Sequence, residues 1–159
     1  MSHSGRASTN GPSADGPSAD GADKTGFAVE PIGWVESPLT ERAQAPCQGD
    51  EGAPDAWLIF EPRVADGVRD IVAGTEIIVL TWLDRADREV LVTRPRDDPL
   101  LPLTGVFSTR SPDRPNPVGL HRVLVLAVEE LRIGVRGLEA IDKTPVIDVK
   151  PVLDRDVER

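Results

Sequence analysis

From Phe27 onward the apolar residues come in short β-branched runs separated by Pro, Gly and Asp. Such runs predict strands rather than helices. The strands expected are Ala28–Glu36, Ala56–Phe60, Thr75–Leu83, Glu89–Thr93, Gly105–Thr109, Arg122–Val128, Ile133–Leu138 and Val146–Val149. Ile77–Leu80 and Val123–Val128 are apolar at nearly every position, which predicts core strands covered on both faces. Only Val64–Val72 suits a short helix, and Gly67 weakens it. The fold class is therefore mainly β, a single small antiparallel barrel or sandwich with few short helices.

Residues 1–26 differ in texture. They are mostly Gly, Ser, Pro, Ala and Asp, with GPSAD repeated in tandem from Gly11 to Asp20, too little apolar surface to offset chain entropy. A disordered, solubilising tail over 1–26 and one domain over 27–159 are expected. The chain of 159 residues carries a formal charge of −9, which opposes the basic footprint usual for nucleic-acid binding. The stretch from Arg85 to Arg122 runs the other way, with seven arginines against five carboxylates. A local basic site on an acidic body follows. Cys47 is the single cysteine, which excludes a disulfide framework and suits a reducing, cytoplasmic location. No run reaches the roughly 18 apolar residues of a membrane span. No metal is expected, because the domain has only His121 besides His3 in the tail.

Candidate chemistry gathers in a few segments. Val106–Val125 reads VFSTRSPDRPNPVGLHRVLV, in which Pro112, Pro115 and Pro117 stiffen a loop between two apolar strands. Arg110 and Arg114, with Ser108, Thr109, Ser111 and Asn116, suit recognition of a carboxylate, a phosphate or an adenine edge. The competing reading is a rigid connection whose arginines pair with local acids such as Asp113. Leu138–Leu153 brings Asp142 and Thr144 before a strand carrying Asp148 and Lys150, either a polar site at strand ends or a turn followed by a solvated edge strand. Pro31–Pro38 (PIGWVESP) supplies a strand, and Ala45–Gly49 (APCQG) a loop in which Gln48 could read adenine. Trp34 and Trp82 are expected in the core, and only Trp57 is left open as a base-stacking side chain.

The order PIGxVxSP, APxQG, TWL with a charged pair, GVFSTRSPxRPNPVGLHRV and LEAxDxTPVxDVKPVL resembles the TsaA/TrmO-like (YaeB-like) tRNA methyltransferase family, from about Pro31 to Leu153. The resemblance implies a β-barrel that binds S-adenosylmethionine outside a Rossmann fold. It implies transfer of the donor's methyl group to the exocyclic nitrogen of threonylcarbamoyl-adenosine beside the anticodon of tRNA, and a homodimer. Carried over by position, the cofactor pocket takes Pro46, Cys47, Gln48, Asp84, Arg85, Arg110, Leu120, Asp142, Lys143, Thr144 and Pro145. The catalytic candidates are Asp142, to relieve positive charge on the alkylated nitrogen, and Asn116, to position it. Arg114 and Lys150 are the substrate-binding candidates, and His121 is expected to flank the donor or an interface. Two positions depart from the family pattern. Asp84 replaces a common His, and Lys143 replaces the Gly of a DGTP turn, which costs strain if that turn needs positive φ. The extra C-terminal domain of longer members is not expected after this barrel. The other readings are a methyltransferase for another RNA or a small molecule, and a non-catalytic donor-binding module.

Overall fold

The computed structural model describes residues 26–153. Six of the runs become one antiparallel sheet: β1 (Gly33–Glu36), β2 (Ala56–Phe60), β3 (Glu76–Trp82), β6 (Val118–Glu129), β7 (Arg132–Arg136) and β8 (Pro145–Pro151). They hydrogen-bond in the order β1-β2-β7-β6-β3-β8, and β8 pairs back onto β1 through Gly33↔Val146 and Trp34↔Pro145. The sheet thereby closes on itself and leaves no long free edge among these strands. Strand alternation sends Val35, Leu58, Phe60, Ile77, Val79, Val123, Val125, Ile133, Val135 and Val146 inward, all buried. Each such side chain stabilises the fold by roughly 1.5–3 kcal/mol. Their outward neighbours Ile78, Leu80, Leu124 and Leu126 are only half-buried, so the core strands are covered fully on one face and partly on the other.

The helical expectation reduces to a 3-10 turn (Pro62–Val64) running into the single turn of α1 (Ala65–Val68). Val68 is buried there, with Val64 and Ile71 packed against the core. Other boundaries move for local reasons. β1 begins at Gly33, not Ala28. The runs at Glu89–Thr93 and Gly105–Thr109 shrink to the small pair β4 (Val92–Thr93) and β5 (Thr104–Gly105), an arm standing off the main sheet. After β5 the chain turns into a 3-10 helix (Val106–Ser108), whose Val106 is buried. β6 in turn starts four residues earlier than expected, because Gly119 is a packing residue and not a breaker. A Cβ there would stand 2.4 Å from Thr81 Oγ1 and 2.6 Å from His121 Nε2, so only glycine permits this approach.

Antiparallel order sorts the connections. Segments 61–75 and 130–131 lie at one end of the sheet, while 37–55, 83–117 and 137–144 all lie at the other. The segments that carry candidate chemistry are therefore brought to one rim. Trp34 and Trp82 are not core residues: Trp34 is exposed, and Trp82 lies half-buried with the Arg88 guanidinium 5.3 Å from its ring. Trp57 is half-buried on the outer face under Arg132, 4.8 Å from its ring centroid. The expected tail 1–26 falls almost wholly outside the described residues. No helix among the described residues is long and apolar enough to cross a membrane.

Candidate functional site

The proline-rich loop is pinned from within and from two neighbouring segments. Arg114 Nη2 donates to Val106 O at 2.8 Å and to Thr109 O at 3.4 Å, and its guanidinium lies 6.0 Å from the Phe107 ring. Arg110 Nη2 donates to Leu120 O at 3.1 Å. From the 83–89 segment, Arg88 donates to Pro115 O at 2.7 Å and to Asn116 Oδ1 at 3.3 Å. Arg85 reaches the 37–44 segment at Thr40 O, 3.2 Å away, and Arg94 donates to Leu101 O in the β4–β5 arm. These five arginines spend their hydrogen bonds on neutral carbonyls, and none forms a salt bridge among the described residues. None of these guanidinium groups has a carboxylate within 4 Å among the described residues. Proline removes backbone donors from the loop, and arginine supplies donors that proline cannot.

Asp113, the local acid considered for Arg110 or Arg114, pairs instead with Arg42, both oxygens lying 3.0 Å from Nη2, and accepts the Asp87 N–H at 2.8 Å. Burial pushes this carboxyl up, but the Arg42 hydrogen bond, the Asp87 N–H and the Arg42 charge together hold it below the usual carboxylate range. A depressed carboxyl contributes stability above its unfolded value of about 4, and loses it as pH falls through the folded value. Acidification is therefore expected to undock the proline-rich loop from the 37–44 segment. The check is the melting temperature of the protein and of Asp113→Asn between neutral pH and about pH 3: the gap between them closes at the acid end.

The turn before β8 is locked to the end of β1. Asp142 N donates to Leu39 O (2.6 Å), Lys143 N to Val35 O (2.7 Å) and Val35 N to Thr144 O (3.0 Å), while Asp142 Oδ1 accepts the Ser37 N–H at 3.1 Å. Thr144 is buried and donates its hydroxyl to Ile141 O. Half-buried Asp142 is thus held firmly, with one oxygen engaged. Lys143 takes φ 65°, the left-handed conformation that a glycine would occupy without cost. Lys143→Gly is expected to raise stability by about 1 kcal/mol, read as a higher urea midpoint with an unchanged slope.

Pro46, Cys47 and Gln48 lead into a 3-10 turn, Gly49–Glu51. Cys47 and Gln48 are exposed. The turn is seated on the segment after β7: a Cβ on Gly49 would meet Gly137 O at 2.0 Å and Glu139 Oε2 at 3.2 Å. The β4–β5 arm touches the same turn through Arg96 and Glu51, 2.8 Å apart. Arg96 and Asp97 at its tip both have positive φ. Asp84 is exposed beside Arg85, and Leu120 presents an exposed apolar side chain beside Arg110. The loop 46–48, Asp84, Arg85, Arg110, Arg114, Asn116, Leu120 and the turn 142–145 thus all belong to the rim. Lys150 does not join them: it pairs with Asp148 at 2.8 Å on the outer face of β8, level with Ile78. His121 sits inside the sheet, 5% exposed, with Nδ1 2.8 Å from Glu139 Oε1. No cluster of His, Cys, Asp and Glu among the described residues could hold a metal ion.

Comparison with known proteins then decides the family. The model of the tRNA-methyltransferase O N-terminal domain matches residues 34–156. The chain belongs to this family. A probable S-adenosyl-L-methionine-binding protein of Methanothermobacter thermautotrophicus is 43% identical over 123 residues, covering 77% of this chain and 88% of that protein. An S-adenosyl-L-methionine-binding protein of Archaeoglobus fulgidus is 43% identical over 122 residues, covering 77% and 86%. The crystal structure of TrmO from Pseudomonas aeruginosa superposes with a TM-score of 0.64 at 25% identity, over 84% of this chain and 59% of that one. A longer Archaeoglobus fulgidus relative, 42% identical over 120 residues, is matched over only 32% of its length. The matched residues 34–156 include every segment that the antiparallel order gathers at the rim. Arg42 and Arg88, which hold the proline-rich loop from outside it, were not among the residues that sequence reasoning singled out, since neither lies in a motif.

Proposed function

We propose that this domain is an S-adenosylmethionine-dependent methyltransferase acting on the exocyclic nitrogen of threonylcarbamoyl-adenosine in tRNA. The observation that carries the reading is the row of arginines 85, 88, 94, 110 and 114, fixed on carbonyls with no carboxylate partner among the described residues, on a chain of net charge −9. Immobilised guanidinium groups with no carboxylate partner suit an anionic ligand such as phosphate or carboxylate. The family and the donor-binding names of its relatives support the donor.

The residues fit that donor. Arg110 offers a guanidinium for its carboxylate, with the exposed apolar Leu120 side chain beside it. Pro46, Cys47 and Gln48, with Asp84, Arg85 and the turn Asp142–Pro145, supply the rest of the pocket. When bound, S-adenosylmethionine supplies an electrophilic methyl group. This chain's residues orient the acceptor and deal with its proton. Asp142 is held through Ser37 and Leu39, and its second oxygen is the acceptor for the proton lost by the exocyclic nitrogen. Asn116, fixed by Arg88, positions the acceptor, and Arg114 faces the acceptor's anionic groups. Lys150 has a weaker claim because it stands apart.

The closed sheet is the family-type β-barrel, and the domain runs from residue 27. A homodimer is supported by apolar side chains standing in solvent on the β4–β5 arm and after it, Leu100 at 90% and Phe107 at 76% exposure. A reducing cytoplasm suits an exposed lone Cys47.

The test is transfer of labelled methyl from S-adenosylmethionine to tRNA with and without the threonylcarbamoyl group. Labelling confined to the modified tRNA, falling with salt by about 0.7 log units per tenfold for each phosphate contacted, supports the reading. Labelling of a small molecule with no salt response instead would replace tRNA with another acceptor. Donor binding without any transfer would leave a binding module.

A further inference from the structure

The rim reading leaves one buried group without a part. His121 lies inside the sheet on β6, with its Nε2 2.8 Å from Thr81 Oγ1 on β3, and Thr81 is fully buried. Its Nδ1 is buried and lies 2.8 Å from Glu139 Oε1. A buried nitrogen in that position costs free energy until it is satisfied. One arrangement of protons satisfies all three groups. With the Thr81 hydroxyl donating to Nε2, the proton sits on Nδ1, where the Glu139 carboxylate accepts it.

Glu139 has a second side. Its other oxygen, Oε2, lies against Gly49, 3.2 Å from where a Cβ would stand. Gly49 follows directly on Pro46, Cys47 and Gln48, and its own packing against Gly137 O leaves no room for the turn to slide inward. One carboxylate therefore stands between the buried imidazole and the foot of the 46–49 loop.

We propose that Glu139, oriented by His121 and Thr81, is a positioning residue that seats the 46–49 loop for the donor; this rests on the reading of that loop as part of the donor site. Glu139, held at Nδ1 of His121, gives Gly49 a fixed floor, so the 46–49 loop keeps this seat before ligand arrives. Glu139 touches neither donor nor acceptor in this account.

Cys47, the single cysteine of the chain and exposed in the loop, reports the loop's state directly. The full-length protein is treated with a chromogenic thiol reagent, with and without S-adenosylmethionine, as wild type, Glu139→Ala and Glu139→Gln. Without donor, Glu139→Ala is expected to label about tenfold faster than wild type. Glu139→Gln keeps an acceptor oxygen for Nδ1–H and the same shape against Gly49, so it is expected to stay within about twofold of wild type. With donor, the KM for S-adenosylmethionine is expected to rise about tenfold in Glu139→Ala with kcat changed by less than about threefold. Equal labelling of wild type and Glu139→Ala would overturn the positioning role, as would a Gln variant no better than Ala. Failure of the donor to protect Cys47 in wild type is a separate result. It would remove the donor reading, while the labelling without donor still decides whether Glu139 seats the loop.

Discussion

Gly119→Ala is expected to destabilise the protein by about 3 kcal/mol, the sum of overpacking a closed core and disturbing a buried polar contact. Gly119 faces Thr81 across β3 and β6, and the added Cβ would fall 2.4 Å from Thr81 Oγ1 and 2.6 Å from His121 Nε2. Neither neighbour can retreat without breaking their 2.8 Å contact, since Thr81 has no solvent-exposed surface to move into. For a domain of this size the melting midpoint should fall by about 10 °C. The double variant Gly119→Ala with Thr81→Ala is expected to recover part of the loss, because removing the hydroxyl makes room for the methyl. Strict additivity in that cycle would contradict the steric account.

The second large effect is on activity. Arg114→Ala removes two charge-assisted bonds, to Val106 O and Thr109 O, that tie the two ends of the proline-rich segment together. Val106 O keeps the amide and hydroxyl of Thr109 as donors, so global stability should fall by no more than about 2 kcal/mol. Turnover should suffer much more, because Arg110 and Asn116 depend on that loop for their placement. A drop of about 100-fold in kcat/KM for tRNA methylation is expected from misplaced reacting groups. Arg114→Lys keeps the charge but lacks the planar fork, and should restore only a small part. A lysine variant with full activity would mean that charge, not geometry, is what Arg114 contributes.

The strands that sequence makes plain are those whose inward residues are buried. Ala56–Phe60 falls where the alternation puts it, and Thr75–Leu83 departs by one residue at each end, because Ala56, Leu58, Phe60, Ile77 and Val79 all find the interior. The arm is read poorly for the opposite reason. Leu91 and Val92 look like a strand in sequence but remain exposed, so nothing in the core fixes their pairing. The start of β6 is hidden by Pro117 and Gly119, residues that usually interrupt strands. Here Pro117 is buried at the strand's entrance and Gly119 is demanded by its neighbours. Among site residues, the motif segments were legible as motifs, and their convergence follows once the antiparallel order is known. Partnerships between distant residues were not. Arg42 with Asp113 and His121 with Glu139 join segments whose spacing carries no signal. Lys150 shows the converse limit: two residues beyond Asp148 on one strand, it shares that residue's outer face and pairs with it there, away from the rim.

The central claim is a methyl-donor pocket at this rim, and calorimetric titration of the protein with S-adenosylmethionine tests it most directly, with Arg110→Ala as the comparison. The account predicts binding with a dissociation constant of about micromolar order, weakened at least about tenfold in the variant by loss of the guanidinium that faces the donor's carboxylate. No heat and no thermal stabilisation of the wild-type protein at saturating donor would contradict it.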